Sequence, residues 1–197
     1  MFDLLITNAN LPDGSSSMDI AIRDGRIAAI EPHFNGGAHE VIDATGRLVC
    51  PPFVDPHFHM DATLSLGMPR LNRTGTLLEG IGLWGELKQQ LTHEAVVERA
   101  MRYCDLAVSQ GVLAIRSHVD ICDDRLLAVE ALLEVRRRVA PYITLQLVAF
   151  PQDGYLRSAN AAGNFKRALD MGVDVVGGIP HFERTMADGA ESVRQLC

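Results

Sequence analysis

The sequence predicts an α/β protein, with a small β-rich module followed by parallel strands that alternate with helices. Three observations carry this reading. Residues 1–49 hold short runs of alternating Ile, Leu, Val and Ala, separated by glycine-containing turns. Between residues 111 and 182, strand-like and helix-like segments alternate with a repeat of about thirty residues, the length of a βαβ unit. The strands of that region are nearly continuous apolar runs, as expected where both faces of a parallel sheet are covered.

Taken in order, "FDLLITNA", "MDIAIRDG", "RIAAIEP" and "HEVIDATG" read as the strands of the first module. Asp24-Gly25 between two apolar runs is a strong hairpin signal, because glycine reaches positive φ at little steric cost. From residue 48, "LVCPPFVDPHFHM" reads as a buried strand that runs into a loop. Residues 62–91 are loop-rich, with a short helix expected around 80–90. Thr92 can cap the next helix, with Glu94 in its first turn facing the positive end of the dipole. Val97, Met101, Cys104 and Val108 recur at helical spacing, and Gly111 ends that helix. There follow a strand at 111–120, an amphipathic helix at 124–139 stopped by Pro141, and a strand at 143–152. A helix at 158–171 ending at Gly172, a strand at 173–182 and a last helix from near 188 complete the pattern. Four parallel strands of this kind begin both an open doubly wound sheet and a (β/α)8 barrel.

Bulk properties exclude several classes. The 197 residues are 47% hydrophobic and 22% charged, which suits a packed core. The net charge is −7 and no basic stripe is present, so nucleic-acid binding through phosphate contacts is not expected. No apolar run approaches the ~20 residues of a bilayer span, and "MFDLLITNANL" lacks the basic start of a signal peptide. Cys50, Cys104, Cys122 and Cys197 are scattered, with no CxxC. Reduced cysteines in a cytoplasmic protein are the expectation.

The chemistry is concentrated where the strands end, in His57 and His59, then His118, then Gln152, then His181. In a barrel the C-terminal ends of the strands converge on one rim. His57 and His59 are two apart, so on an extended strand both imidazoles point the same way and form half of a site for Zn²⁺ or Fe²⁺. Gln152 offers one acceptor and two donors, enough to read a ring amide, although a loop-capping role is equally compatible with its position. His118 suits a pocket or the core, and His181 suits the core better. Asp61 suits either ligand orientation or a solvated loop. Gly80, Gly82 and Gly85 fit G-x-G-x-x-G, but no strand precedes them, so the dinucleotide reading is set aside.

"PPFVDPHFHMD", "TGTLLEGIGLW", "RSHVD", "LQLVAFPQDG" and "GVDVVGGIPHFE" together resemble the amidohydrolase superfamily, and within it the cytosine deaminases of the bacterial type. The resemblance implies that residues 1–49 are the N-terminal part of a β-sandwich and that 50–197 are the first half of a (β/α)8 barrel. It implies that His57 and His59 bind one divalent metal ion, Fe²⁺ or Zn²⁺. Gln152 would hold the pyrimidine ring edge, and the Leu77 backbone would face the substrate carbonyl. The dihydroorotase-like branch bridges two metals with a lysine on the fourth strand. Here that strand reads "VVGGIPH" and has no lysine, which supports one metal.

The remaining ligands and the proton-shuttling glutamate of the resembled enzymes follow the fifth, sixth and eighth strands, and those enzymes are about twice as long, as a complete barrel of ~250 residues requires. The expectation is an N-terminal fragment of a homo-oligomeric enzyme that hydrolytically deaminates a small pyrimidine-like substrate, with no nucleic-acid or membrane partner. Two alternatives accompany it. One is a relative acting on isocytosine, a creatinine-like ring or an aminotriazine; the other is a non-catalytic half-barrel.

Overall fold

The computed structural model describes residues 1–197. The chain divides into two compact units, Met1–Pro51 and Pro52–Cys197. No helix is long and apolar enough to cross a membrane.

The first unit is a four-stranded sheet of β1 (Phe2–Ala9), β2 (Met18–Arg23), β3 (Arg26–Pro32) and β4 (Ala38–Asp43), in the order β3-β2-β1-β4. β1 pairs antiparallel with β2 and parallel with β4. The Asp24-Gly25 hairpin forms where the turn chemistry places it. Arg23 pairs with Arg26, and both turn residues take positive φ, 52° and 67°. Its core is small, built on Ala9, Ile20 and Ala44. Buried Asp19 accepts the backbone N–H groups of Asn8 (3.0 Å) and Phe34 (2.8 Å), which answers the cost of burying a carboxylate.

The second unit contains β5 (Phe53–Phe58), α1 (Leu77–Lys88), α2 (His93–Ser109), β6 (Val112–Asp120) and α3 (Leu127–Val139). It continues with β7 (Thr144–Phe150), α4 (Ala161–Asp170), β8 (Val175–Val176) and α5 (Met186–Leu196). The four strands are parallel, in the order β5-β6-β7-β8. α2 and α3 bury Val96, Ala100, Cys104, Val129, Leu132 and Val135 with Ile115 and Val119 of β6 and Leu145 and Leu147 of β7. Thr92 caps α2 by accepting from Ala95 N–H at 3.2 Å.

The structure departs from the sequence reading in five places. β5 is not a buried strand: Phe53 and Val54 are 62% and 63% exposed. It stands at the end of the strand order and pairs only with β6. β6 does not bury both faces either. Ile115, Ser117 and Val119 point into the core, whereas Arg116 is exposed and donates to Gln146 Oε1 at 2.6 Å on the opposite face. α3 starts at Leu127, not 124. Asp123 Oδ1 accepts the Arg125 N–H, and Leu126 takes φ 51°, a left-handed conformation outside the helix.

Finally, β8 is two residues long, and His181 lies in a 3₁₀ turn, Pro180–Phe182. Gly177, just past the strand, still donates its N–H to Ala149 O at 2.8 Å. It packs so tightly on β7 that a Cβ there would sit 2.7 Å from Val148 Cγ1. α1 is longer than expected. Thr76 caps it by accepting from Glu79 N–H, and Gly80, Gly82 and Gly85 fall inside the helix, away from any phosphate-binding turn.

Candidate active site

At the C-terminal ends of β5–β8 lies a cleft of about 430 Å³. His57, His59, Leu77, Gln152 and His181 all line it. His57 comes from the end of β5 and His59 from the residue that leads into the 3₁₀ turn Met60–Ala62. Their ring centroids are 5.5 Å apart. Leu77 is the first residue of α1 and is 73% exposed. Gln152 follows β7, its N–H bonded to Phe150 O at 3.0 Å. His118, on β6, stands behind this lining. Its ring stacks on His57 at 3.9 Å and meets Phe150 edge-on at 5.3 Å.

The turn that carries His59 is held by buried hydrogen bonds. Ser117 Oγ accepts the Met60 N–H at 3.0 Å. Arg99 donates to Thr63 O (3.0 Å) and Asp61 O (3.2 Å). Asp61 is not the solvated loop carboxylate that its polarity allowed. It is 1% exposed, and its Oδ2 accepts the Asp120 N–H at 2.9 Å. Burial pushes its pKa up to about 7, with the Asp120 charge adding to the shift and the N–H bonds opposing it.

Electrostatics favour neutral imidazoles here. The His59 pKa is pushed down to about 4, by burial first and then by the charges His118 and His57 would carry. His118 is also lowered, again chiefly by burial, then by His57. Neutral imidazole is the metal-binding form, so His59 meets that requirement. His118 Nδ1 is buried without a hydrogen-bond partner. The His118 ring lies 3.9 Å from His57 and 5.5 Å from His59, but no three His, Cys, Asp or Glu side chains are placed to hold an ion together. The donor set fits part of a metal site, two imidazoles on one wall of a cleft.

Sequence reasoning missed the other wall. Trp84 and Lys88, one turn apart on α1, both reach Asp120 Oδ2, at 2.7 and 3.1 Å. Trp84 lines the cleft beside Ile81. The signal was available in their i, i+4 spacing, which puts both on one helix face with Gly80 and Ile81.

A half-barrel with paired imidazoles at the ends of its strands is the architecture expected of a metal-dependent hydrolase domain. The profile of the Amidohydrolase family matches residues 40–191, and the chain belongs to that family. The particular relatives are as follows. The structure superposes on 5-methylcytosine deaminase from Klebsiella pneumoniae, liganded with 5-fluorocytosine, with a TM-score of 0.92 and 43% identity. That match covers 98% of this chain and 47% of that one. The sequence is 34% identical to N-isopropylammelide isopropyl amidohydrolase of Pseudomonas sp. (strain ADP), over 100% of this chain and 49% of that protein. N-isopropylammelide isopropylaminohydrolase from Burkholderia multivorans, at 24% identity and a TM-score of 0.79, shares the fold. The chain spans about half the length of these relatives.

Proposed function

We propose that this chain supplies the substrate-orienting wall and part of the metal site of an enzyme that hydrolytically deaminates cytosine or a 5-substituted cytosine to the corresponding uracil and ammonia. The observation that carries the reading is the convergence of His57, His59, Gln152 and Leu77 on one cleft of about 430 Å³, large enough for a single pyrimidine. The 43% identity to 5-methylcytosine deaminase over nearly the whole chain supports the substrate class.

In this reading His57 and His59 hold one Fe²⁺ or Zn²⁺. When bound, such an ion supplies Lewis acidity that makes water nucleophilic near neutral pH. Gln152 presents a carboxamide whose acceptor and donors pair with the N–H and carbonyl edge of the ring. The backbone at Leu77, in the first turn of α1, has N–H groups with no partner inside the helix, and one of them meets the substrate carbonyl. Phe150 and Ile179 give the cleft apolar walls against which a flat ring packs. The enzyme is proposed to be a cytoplasmic homo-oligomer acting on a free small molecule.

Two histidines fall short of the three protein ligands usual in catalytic zinc sites. We therefore propose that the site is completed by residues outside these 197, and that the chain alone is inactive. Ammonia release is the test. A protein carrying the complete reading frame, loaded with Fe²⁺ or Zn²⁺, is expected to convert cytosine or 5-methylcytosine, and His59→Ala is expected to abolish the activity. Release from an aminotriazine or an N-alkylammelide, with none from either cytosine, would replace the substrate assignment. Turnover by the purified 197-residue chain would refute the claim that it is incomplete.

A further inference from the structure

One buried cation lies outside the chemistry assigned above. Lys88 sits on the last turn of α1 with its side chain 7% exposed. Its Nζ donates to Asp120 Oδ2 at 3.1 Å and to Asp153 Oδ2. These carboxylates belong to two different parts of the site. Asp120 is the last residue of β6, and the same Oδ2 accepts the Trp84 indole N–H at 2.7 Å. Its Oδ1 accepts the Cys122 N–H at 2.8 Å, and its own N–H is bound by Asp61. Asp153 directly follows Gln152, and its N–H points to Cys122 Sγ at 3.5 Å. The Lys88 carbonyl is itself engaged, accepting from Arg125 Nη2 at 2.6 Å.

Stability alone gives weak reason for this arrangement. A buried ion pair is often no better than apolar packing of the same volume, because desolvation offsets the attraction. What the arrangement does provide is direction, since one ammonium holds both Asp120, which accepts from the cleft-lining Trp84, and Asp153, which follows the cleft-lining Gln152. Burial works against the ammonium, yet the Asp120 charge and the Asp153 hydrogen bond outweigh it and raise the Lys88 pKa. The cation therefore persists throughout the neutral range.

We propose that Lys88 is a positioning residue for the cleft, holding the Trp84 indole through Asp120 and the Gln152 loop through Asp153 so that both meet the same flat heterocycle. The Trp84 ring then serves as a fixed aromatic wall, and Gln152 presents its carboxamide at a set distance from it. This assignment rests on the function proposed above. Its structural half, the clamping of Trp84, does not depend on the identity of the substrate.

The test separates the two. Trp84 is the only tryptophan of the chain, so acrylamide quenching of its fluorescence reads the clamp without any substrate. Lys88→Met is expected to raise the quenching constant roughly twofold or more, because the Asp120 carboxylate loses its cation and the indole its anchor. Lys88→Arg is expected to stay near wild type. Asp153→Asn, at a side chain 40% exposed and safe for folding, is expected to leave quenching unchanged, because it breaks only the Gln152 limb.

In the enzyme carrying the complete reading frame, Lys88→Met and Asp153→Asn are expected to raise KM for cytosine about tenfold, with much smaller effects on kcat and with Lys88→Arg restoring most of the loss. Unchanged quenching in Lys88→Met overturns the clamp. A lowered melting temperature with normal KM in both variants overturns the positioning role and leaves Lys88 a stabilising residue only. An enzyme that never turns over cytosine overturns the proposed function, while the quenching result still decides the clamp.

Discussion

Replacing Ser117 with alanine tests how the turn that carries His59 is held. Ser117 and Met60 are both fully buried, and the serine Oγ accepts the Met60 N–H at 3.0 Å. The change removes one oxygen and leaves a backbone donor in the apolar interior with no water to replace its partner. The loss of a neutral hydrogen bond alone costs about 1 kcal/mol, and an orphaned buried donor brings the total to about 1–3 kcal/mol. For a unit of this size each kcal/mol lowers the melting temperature by roughly 2–4 °C, so a drop of about 2–12 °C is expected. Urea denaturation followed by circular dichroism gives the free-energy difference directly. Ser109→Ala is the control. Its hydroxyl, on the exposed C-terminal turn of α2, donates to Leu106 O at 2.7 Å, and its loss is expected to stay within about 0.5 kcal/mol. Equal stability of the two variants would show that Ser117 does not hold the turn, and the argument for a preset His59 would fail with it.

Three further expectations concern the thiols and the start of α1. Cys104 and Cys122 are held as neutral thiols, their pKa values pushed up to about 11 and about 12, chiefly by burial, while Cys50 and Cys197 are exposed. At pH 8 a thiol reagent is expected to titrate two cysteines quickly and the other two only on unfolding; four fast thiols would contradict the packing. A raised thiol pKa contributes stability that is whole below the unfolded value near 8.5 and is lost as pH rises through the folded one, so urea midpoints are expected to fall on the alkaline side. Thr76→Ala removes the cap of α1 and is expected to cost about 1 kcal/mol in urea denaturation, with no loss placing the start of α1 elsewhere.

Much of the architecture was readable because single residues impose it. Asp24-Gly25 dictates a tight turn, Thr92 dictates a helix start, and the apolar rows of α2 and α3 dictate which faces are buried. The readings that failed depended on neighbours distant in sequence. β5 looks like a core strand from composition, but its burial depends on its place in the strand order, which composition does not encode. The close approach of Gly177 to Val148 is likewise a contact between two strands that composition does not encode. In the cleft, the alternation of His57 and His59 and the polar residue after β7 could be seen directly. Trp84, Lys88, Asp120 and Asp153 could not, because each is ordinary in its own segment and only the fold brings them together. The sequence leaves Asp61 open between ligand orientation and a solvated loop for a related reason. The buried carboxylate finds its partner in the N–H of Asp120, fifty-nine positions away.

Nitrogen NMR of histidine-labelled chain during a Zn²⁺ titration shows whether His57 and His59 form one metal-binding pair. The ring nitrogens of these two histidines are expected to shift together at one equivalent of metal, and His57→Ala is expected to remove the response of His59. Shifts confined to His33, His39 or His93, with positions 57 and 59 unmoved, would contradict it.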